Sequence, residues 1–395
     1  MKGNRWFYLL VGMVGMLFSG VIYAWSILKA PLAEAFGWGG SALAMNFTLT
    51  MCCFCLGGIV ASALRRRLSV RGVLLLSAAM AGAGFLLTSR LSGDGVSALY
   101  FTYGVLAGLG IGMAYNVILS AVNPWFPDKK GLCSGALMMS FGLSSLLLGQ
   151  LASYIIASEG LGWRVAYVVL AGGTAMALVV CAAFLQGPEQ AAGASDPVEG
   201  PAAKDYTTGE MLRRSSFWRF FLYCILVSSV GNTLISFARD LALSMRMTDA
   251  LAAAMVGILS ICNGLGRILC GLVFDGLGRR KAMLMANGAA ILGPALILGA
   301  LALGSYPLGI LGMCVSGISY GCCPTISAAF VSSFYGMKHY ASNYSLSNTM
   351  LIPTSFVATL ASLLLGSTGG YTIPFAMLLA FAAAGLGLNL SLRKP

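Results

Sequence analysis

The feature that most constrains this chain is a series of long segments without a single charged residue. They cover 6–28, 35–64, 72–89, 95–127, 131–158, 165–188, 220–238, 282–337 and 340–392, and 250–274 is interrupted only by Arg267. A helix that crosses a bilayer needs about 20 apolar residues. Most of these segments fit one crossing. The two longest fit two each, with turns at Gly304-Ser305 and between Gly366 and Gly370. The spacing therefore predicts twelve crossings. Composition agrees, because 58% of residues are hydrophobic and only 9% are charged, against about 25% charged in soluble domains. A soluble globular fold, a disordered chain and a secreted disulfide scaffold are excluded. The expected fold class is an all-α membrane protein of twelve transmembrane helices in two six-helix halves.

The net charge of +12 would suggest nucleic acid in a soluble protein. Here the cations sit between the apolar segments, where they set topology. With the N-terminus inside, 18 of the 24 Lys and Arg fall in inside segments and Lys29, Arg90, Arg164 and Arg246 fall outside. This predicts a multi-pass protein of the cell membrane with both termini cytoplasmic. Lys2 and Arg5 precede an apolar run that no small-residue cleavage site follows, so the first segment reads as a retained span. Residues 187–214 are rich in Pro, Ala, Gly and acids and read as a cytoplasmic linker. It divides an N-terminal half, 1–186, from a C-terminal half, 215–395. Near its end, Thr207 and Glu210 have capping-box spacing, which predicts a short interfacial helix.

The halves resemble each other. An offset of 209 residues superimposes Gly108 on Gly317, Gly112 on Gly321, Trp125 on Phe334 and Phe126 on Tyr335. Parallel six-span repeats are a transporter architecture with its site between the repeats. The 11 cysteines lie within or beside the apolar segments, and with one His in the chain they read as small buried hydrophobes. Gly131, Gly135, Gly142 and Gly149 repeat at four and seven and read as close helix packing.

One loop motif is specific: Gly271-x-x-x-Asp275-x-x-Gly278-Arg279-Arg280-Lys281. The Asp can cap a neighbouring helix or pair with an Arg. The motif resembles the loop signature of the major facilitator superfamily, and Gly58-x-x-x-Ser62-x-x-Arg65 is its degenerate first-half counterpart. Further stretches resemble the oxalate/formate antiporter family and its monocarboxylate-transporter relatives. They are Tyr23-Ala24-Trp25-Ser26, Gly108-Leu109-Gly110-Ile111-Gly112, Trp125-Phe126-Pro127-Asp128-Lys129-Lys130-Gly131, Asn263-Gly264-Leu265-Gly266-Arg267 and Asn343-Tyr344. The resemblance implies the major facilitator fold and a carrier of small organic anions, by proton symport or anion exchange. Oxalate carriers of that family have a second cation in the eleventh span, where Leu351 falls here, so monocarboxylates are the expected substrates. Oxalate/dicarboxylate:formate antiport and multidrug efflux on the same scaffold are the rival readings.

Arg267 is the leading site candidate. A charge inside the membrane faces the protein interior, and its fork suits a carboxylate. The plain alternative is an Arg that only clamps neighbouring carbonyls. Asn263 shares its helical face. Tyr115 and Asn116 in the fourth span, Tyr23 in the first and Asn232 in the seventh complete the expected binding set, each with interhelical hydrogen bonding as its plain reading. Arg239 and Asp240 near the outer end of the seventh span, with Asp275 and Arg279, are coupling or gating candidates. No paired-His helix and no phosphate-cradling GxxxxGK[ST] loop is present. An enzyme, ATP, a cofactor, a metal and nucleic acid are therefore not expected. The expected partners are a small organic anion, protons and the bilayer.

Overall fold

The computed structural model describes residues 5–93, 95–185 and 205–392. Most of the predicted linker, 187–204, and both chain ends lie outside the described residues. Twelve helices are long and apolar enough to cross a membrane. They are α1 Arg5–Ala24, α2 Met45–Leu64, α3 Val70–Thr88, α4 Val96–Trp125, α5 Gly131–Ala157 and α6 Gly162–Phe184. After the linker come α7 Ser215–Ser244, α8 Ala254–Leu277, α9 Arg279–Leu303, α10 Tyr306–Tyr335, α11 Tyr340–Thr368 and α12 Thr372–Ser391. No strand occurs among the described residues.

Local chemistry explains the helix ends. Ser69 accepts the Gly72 N–H at the start of α3, and Thr248 accepts the Leu251 N–H ahead of α8. Gly304 and Gly369 close α9 and α11 in the left-handed conformation, which glycine adopts without a Cβ penalty. A short helix, Thr208–Leu212, stands where one was expected, with a complete Thr207–Glu210 capping box. Trp218 Nε1 donates to the Leu212 carbonyl at 2.8 Å, which fastens that helix to α7.

Three helices are irregular, and α1 ends in a 3-10 segment, Gly20–Ala24. Tyr100–Ala107 in α4 is π-helical. In α11 the helix stops at Asn348 and resumes at Leu351. Pro353 accounts for the stop: it has no N–H for the Thr349 carbonyl and its ring crowds that carbonyl.

The residues group into two units. One holds most of the first sequence half and also Tyr340–Thr349, the start of α11. The other holds most of the second half and also Asp128–Met139, the start of α5. The boundary within α11 falls at the helix break.

The 209-residue offset is written into the packing. A side chain on Gly57 would meet the Leu109 carbonyl, and one on Gly266 would meet the Ile318 carbonyl. Gly112 sits on the Phe54 carbonyl and Gly321 on the Asn263 carbonyl. A Cβ on Gly108 would lie 2.9 Å from the Thr50 carbonyl oxygen, and one on Gly317 would lie 3.2 Å from that of Leu259. Each contact in the first half maps onto its mate in the second by adding 209 to both residues. The α2–α4 and α8–α10 pairs are therefore the same backbone-to-backbone seam built twice, and only glycine permits that approach.

Candidate functional site

In the second unit, α8 carries Arg267 at 3% exposure. Its Nε donates to Asn263 Oδ1 at 3.3 Å, one turn earlier, and its Nη1 donates to the Met138 carbonyl of α5. Glycine makes this reach possible, because a Cβ on Gly135 would lie 2.6 Å from the Arg267 carbonyl oxygen. Thr325 of α10 donates its hydroxyl to that same carbonyl at 3.3 Å. Arg267 makes no ion pair among the described residues. A buried guanidinium without a carboxylate is an uncompensated charge, which costs several kcal/mol even after relaxation. The carbonyl and amide dipoles offset part of that cost, and Nη2 makes no hydrogen bond among the described residues.

Other predicted residues of this unit lie apart. Asn232 is half-buried and donates to the Thr354 carbonyl at 3.4 Å, which ties α7 to α11 just past the break. Leu351 is half-buried at the first turn after that break. Arg239 and Asp240 are exposed. Burial and the nearby Asp240 carboxylate push the Tyr371 hydroxyl above its ordinary value. Asp275 does what its motif predicts: Oδ1 accepts the Gly131 N–H and Oδ2 the Leu132 N–H, both at 2.8 Å. It thereby caps α5, whose first N–H groups have no partner within the helix. Arg279 reaches the Leu392 carbonyl at 3.4 Å and lies over the Phe334 ring at 5.1 Å. With Arg219, which donates to the Ser391 carbonyl at 3.1 Å, it secures the end of α12.

In the first unit, Tyr115 and Asn116 meet the start of α11. The Tyr115 and Tyr344 hydroxyls share a hydrogen bond of 3.0 Å, and Asn116 Nδ2 donates to the Ala341 carbonyl at 3.1 Å. Asn116 Oδ1 is buried without a hydrogen-bond partner. Asn123 donates to the Tyr340 hydroxyl at 3.1 Å, and the Ser62 and Ser345 hydroxyls meet at 3.3 Å. Phe141 joins Tyr23 and Tyr115, with ring centroids at 5.3 and 5.0 Å. The predicted residues Tyr23, Tyr115 and Asn116 thus belong to one aromatic and amide patch.

Sequence reading missed Phe141, Tyr340 and the Met138 carbonyl. Tyr340 and Tyr344, one turn apart, were a visible stripe; a backbone carbonyl leaves no trace in sequence. It also missed Asp205, which accepts the Lys338 N–H at 3.1 Å, while the Tyr206 N–H donates to the Tyr335 carbonyl at 2.9 Å. These contacts strap the end of the linker across the turn between α10 and α11.

Twelve membrane-crossing helices, a duplicated helix seam and a buried intramembrane cation define a multi-pass membrane transporter. The chain belongs to the Major Facilitator Superfamily, whose family model matches residues 6–352. It is 28% identical over 344 residues to the uncharacterized MFS-type transporter YhjX of Escherichia coli (strain K12), covering 86% of this chain and 83% of that one. It is 29% identical over 342 residues to the oxalate:formate antiporter of Oxalobacter formigenes, covering 86% and 80%. Monocarboxylate transporter 13 of Bos taurus is 25% identical over 342 residues, covering 85% and 76%. Among solved structures, the proton:xylose symporter XylE superimposes with a TM-score of 0.78 at 14% identity, covering 99% of this chain and 96% of that one. FucP in its outward conformation gives 0.69 at 12%, covering 98% and 99%. These two show the fold. Members of the superfamily are transporters, so the chain is not an enzyme.

Proposed function

We propose that this protein carries small monocarboxylates across the cell membrane by alternating access, with both termini cytoplasmic. One observation carries the reading: Arg267 is buried at mid-helix and no protein carboxylate among the described residues neutralises it. The missing counter-charge is the substrate's. The carboxylate takes the open donors of the guanidinium, and Asn263 holds the fork in place through Nε. The Met138 carbonyl is a second acceptor for the guanidinium.

The names of the oxalate:formate antiporter and of monocarboxylate transporter 13 support an organic anion. Within that class, one buried cation favours one negative charge. A dianion would retain an unpaired charge, and Leu351 offers no second cation. Multidrug efflux fits less well, since the acids nearest the spans, Asp240 and Asp275, are exposed at helix ends. The position of Asp240 equally makes a substrate-borne proton the better partner for symport, with exchange of two anions as the other mode. Counterflow of radiolabelled lactate, formate and oxalate in proteoliposomes tests the proposal. Accumulation of lactate or formate above oxalate is the expected result. No counterflow of any carboxylate would sink the reading, and oxalate flux equal to that of formate would overturn the one-charge argument.

A further inference from the structure

The turn between α2 and α3, Arg65–Ser69, carries a basic cluster that the anion site does not use. Arg66 and Arg67 in the turn and Arg71 in the first turn of α3 are exposed, and none of the three has a hydrogen bond or ion pair among the described residues. Arg65 differs, because its Nη1 donates to the Leu68 carbonyl at 3.0 Å and closes the turn. The loop motif gives the same position work in the other half. Adding 213 to Arg66 reaches Arg279, whose guanidinium holds the Leu392 carbonyl and lies over the Phe334 ring. Arg66 has no such engagement among the described residues.

No acid of this unit balances the cluster. Among its described residues the acids are Glu34 and Glu159. They follow α1 and α5, and because consecutive spans alternate in direction they lie at the opposite end from Arg65–Ser69. Arg71 also stands at a helix start, where the dipole favours an anion and disfavours a cation. Three unpaired cations so close in sequence repel one another, and a bound anion would offset both effects. All three are arginines, whose forks suit phosphate oxygens.

An apolar stripe continues from the cluster. Leu75, Ala79, Ala83 and Leu86 are exposed at steps of four, four and three, which is one face of α3. Arg71 precedes Leu75 by four residues and heads the same face. The stripe runs for about 16 Å at 1.5 Å per residue. That is close to half of a hydrocarbon core of roughly 30 Å, the depth of one leaflet. A free phosphate has no use for such a stripe, whereas a phospholipid matches the basic head and the apolar stem together.

We propose that α3 and the turn before it form a binding site for an anionic phospholipid. Arg66, Arg67 and Arg71 hold the phosphate, and an acyl chain lies along the face from Leu75 to Leu86. The site selects on head-group charge. A zwitterionic lipid of the same chains brings its own cation to the cluster and cancels the attraction. Each guanidinium beside an anionic lipid surface strengthens attachment about 5-fold, so the three together account for about 100-fold.

The test is native mass spectrometry on the full chain, delipidated in detergent and titrated with phosphatidylglycerol or with phosphatidylethanolamine of the same acyl chains. Phosphatidylglycerol should bind first. Arg66→Gln, Arg67→Gln and Arg71→Gln together should weaken it by about 10- to 100-fold and leave phosphatidylethanolamine unchanged. The matching Lys triple keeps the charge that topology needs but loses the fork, so it should fall between the two. A charge-matched control, Arg213→Gln, Arg280→Gln and Lys281→Gln, removes three exposed cations elsewhere and should bind phosphatidylglycerol as the parent does. Equal binding of the two lipids, or an equal loss in the control, would overturn the proposal. Displacement of phosphatidylglycerol by inorganic phosphate would also overturn it, by showing that the cluster takes phosphate alone. This readout does not depend on what the protein transports.

Discussion

Asp275→Asn tests the helix 5 cap most directly. The carboxylate receives two N–H groups at 2.8 Å, from Gly131 and Leu132. Asparagine keeps one acceptor oxygen but turns an NH₂ towards the other N–H and removes the charge at the helix N-terminus. A charged hydrogen bond contributes about 1.5–3 kcal/mol, but Asp275 is exposed, which moves the estimate to the range for helix caps, about 0.5–2 kcal/mol. At 1.4 kcal/mol per factor of ten, local opening of the first turn of α5 should become roughly 2- to 30-fold more frequent. Hydrogen exchange followed by mass spectrometry on the peptide containing Gly131 and Leu132 reads this opening. The start of α3, capped by Ser69, is the internal reference and should not change. Unaltered exchange at Gly131 and Leu132 in a folded variant would show that the Asp275 contacts do not hold the helix start.

Further perturbations address the site and the scaffold. Arg267→Lys keeps the charge but loses the fork, so carboxylate exchange should fall by about 10- to 100-fold, the equivalent of a few kcal/mol, with monodispersity retained; normal transport in both the Lys and Ala variants would make Arg267 structural. Gly266→Ala and its repeat mate Gly57→Ala each drive a Cβ into a carbonyl, and each should lower stability by about 1–3 kcal/mol in thermal melts. Gly257→Ala, which meets nothing within 4 Å, should be neutral or stabilising. Leu351→Lys adds a second cation and should shift preference towards oxalate, measured at several pH values because a buried Lys can lose its proton. Single cysteines at positions 94 and 204 should react with impermeant maleimide from opposite sides of the membrane, and labelling from one side alone would refute the proposed orientation.

Much of the architecture was legible because the bilayer enforces it. Charge-free length fixed the spans, and Thr207 and Glu210 marked the short helix they cap. The break in α11 was less visible: proline is common in membrane helices, and Pro294 and Pro324 sit inside unbroken α9 and α10. Only at Pro353 does the chain leave the helix. Arg267 and Asn263 were found from their shared helical face, which the hydrogen bond between them matches. The Met138 carbonyl could not be found that way, being a backbone atom 129 residues distant in sequence. The repeat rested on Gly108 and Gly112 with their mates. Gly57 and Gly266 escaped notice because, in a chain with 51 glycines, only the carbonyls beneath them set them apart.

The duplicated seams also determine where this molecule can yield. A helix pair whose glycines rest on the neighbour's carbonyls cannot slip by a turn, since each shift would press side chains into backbone. The α2–α4 and α8–α10 pairs therefore behave as stiff beams. α11 is weaker between Asn348 and Leu351: the Thr349 N–H bonds to Leu346 in the tighter three-residue pattern, and Pro353 offers the Thr349 carbonyl no N–H, while the Thr354 N–H still reaches the Met350 carbonyl at 3.2 Å. Bending there strains a ladder already short of one bond and leaves the glycine seams intact. A chain that must deform repeatedly without wear would concentrate deformation at such a point, and a substitution that repairs the ladder, such as Pro353→Ala, would stiffen that joint.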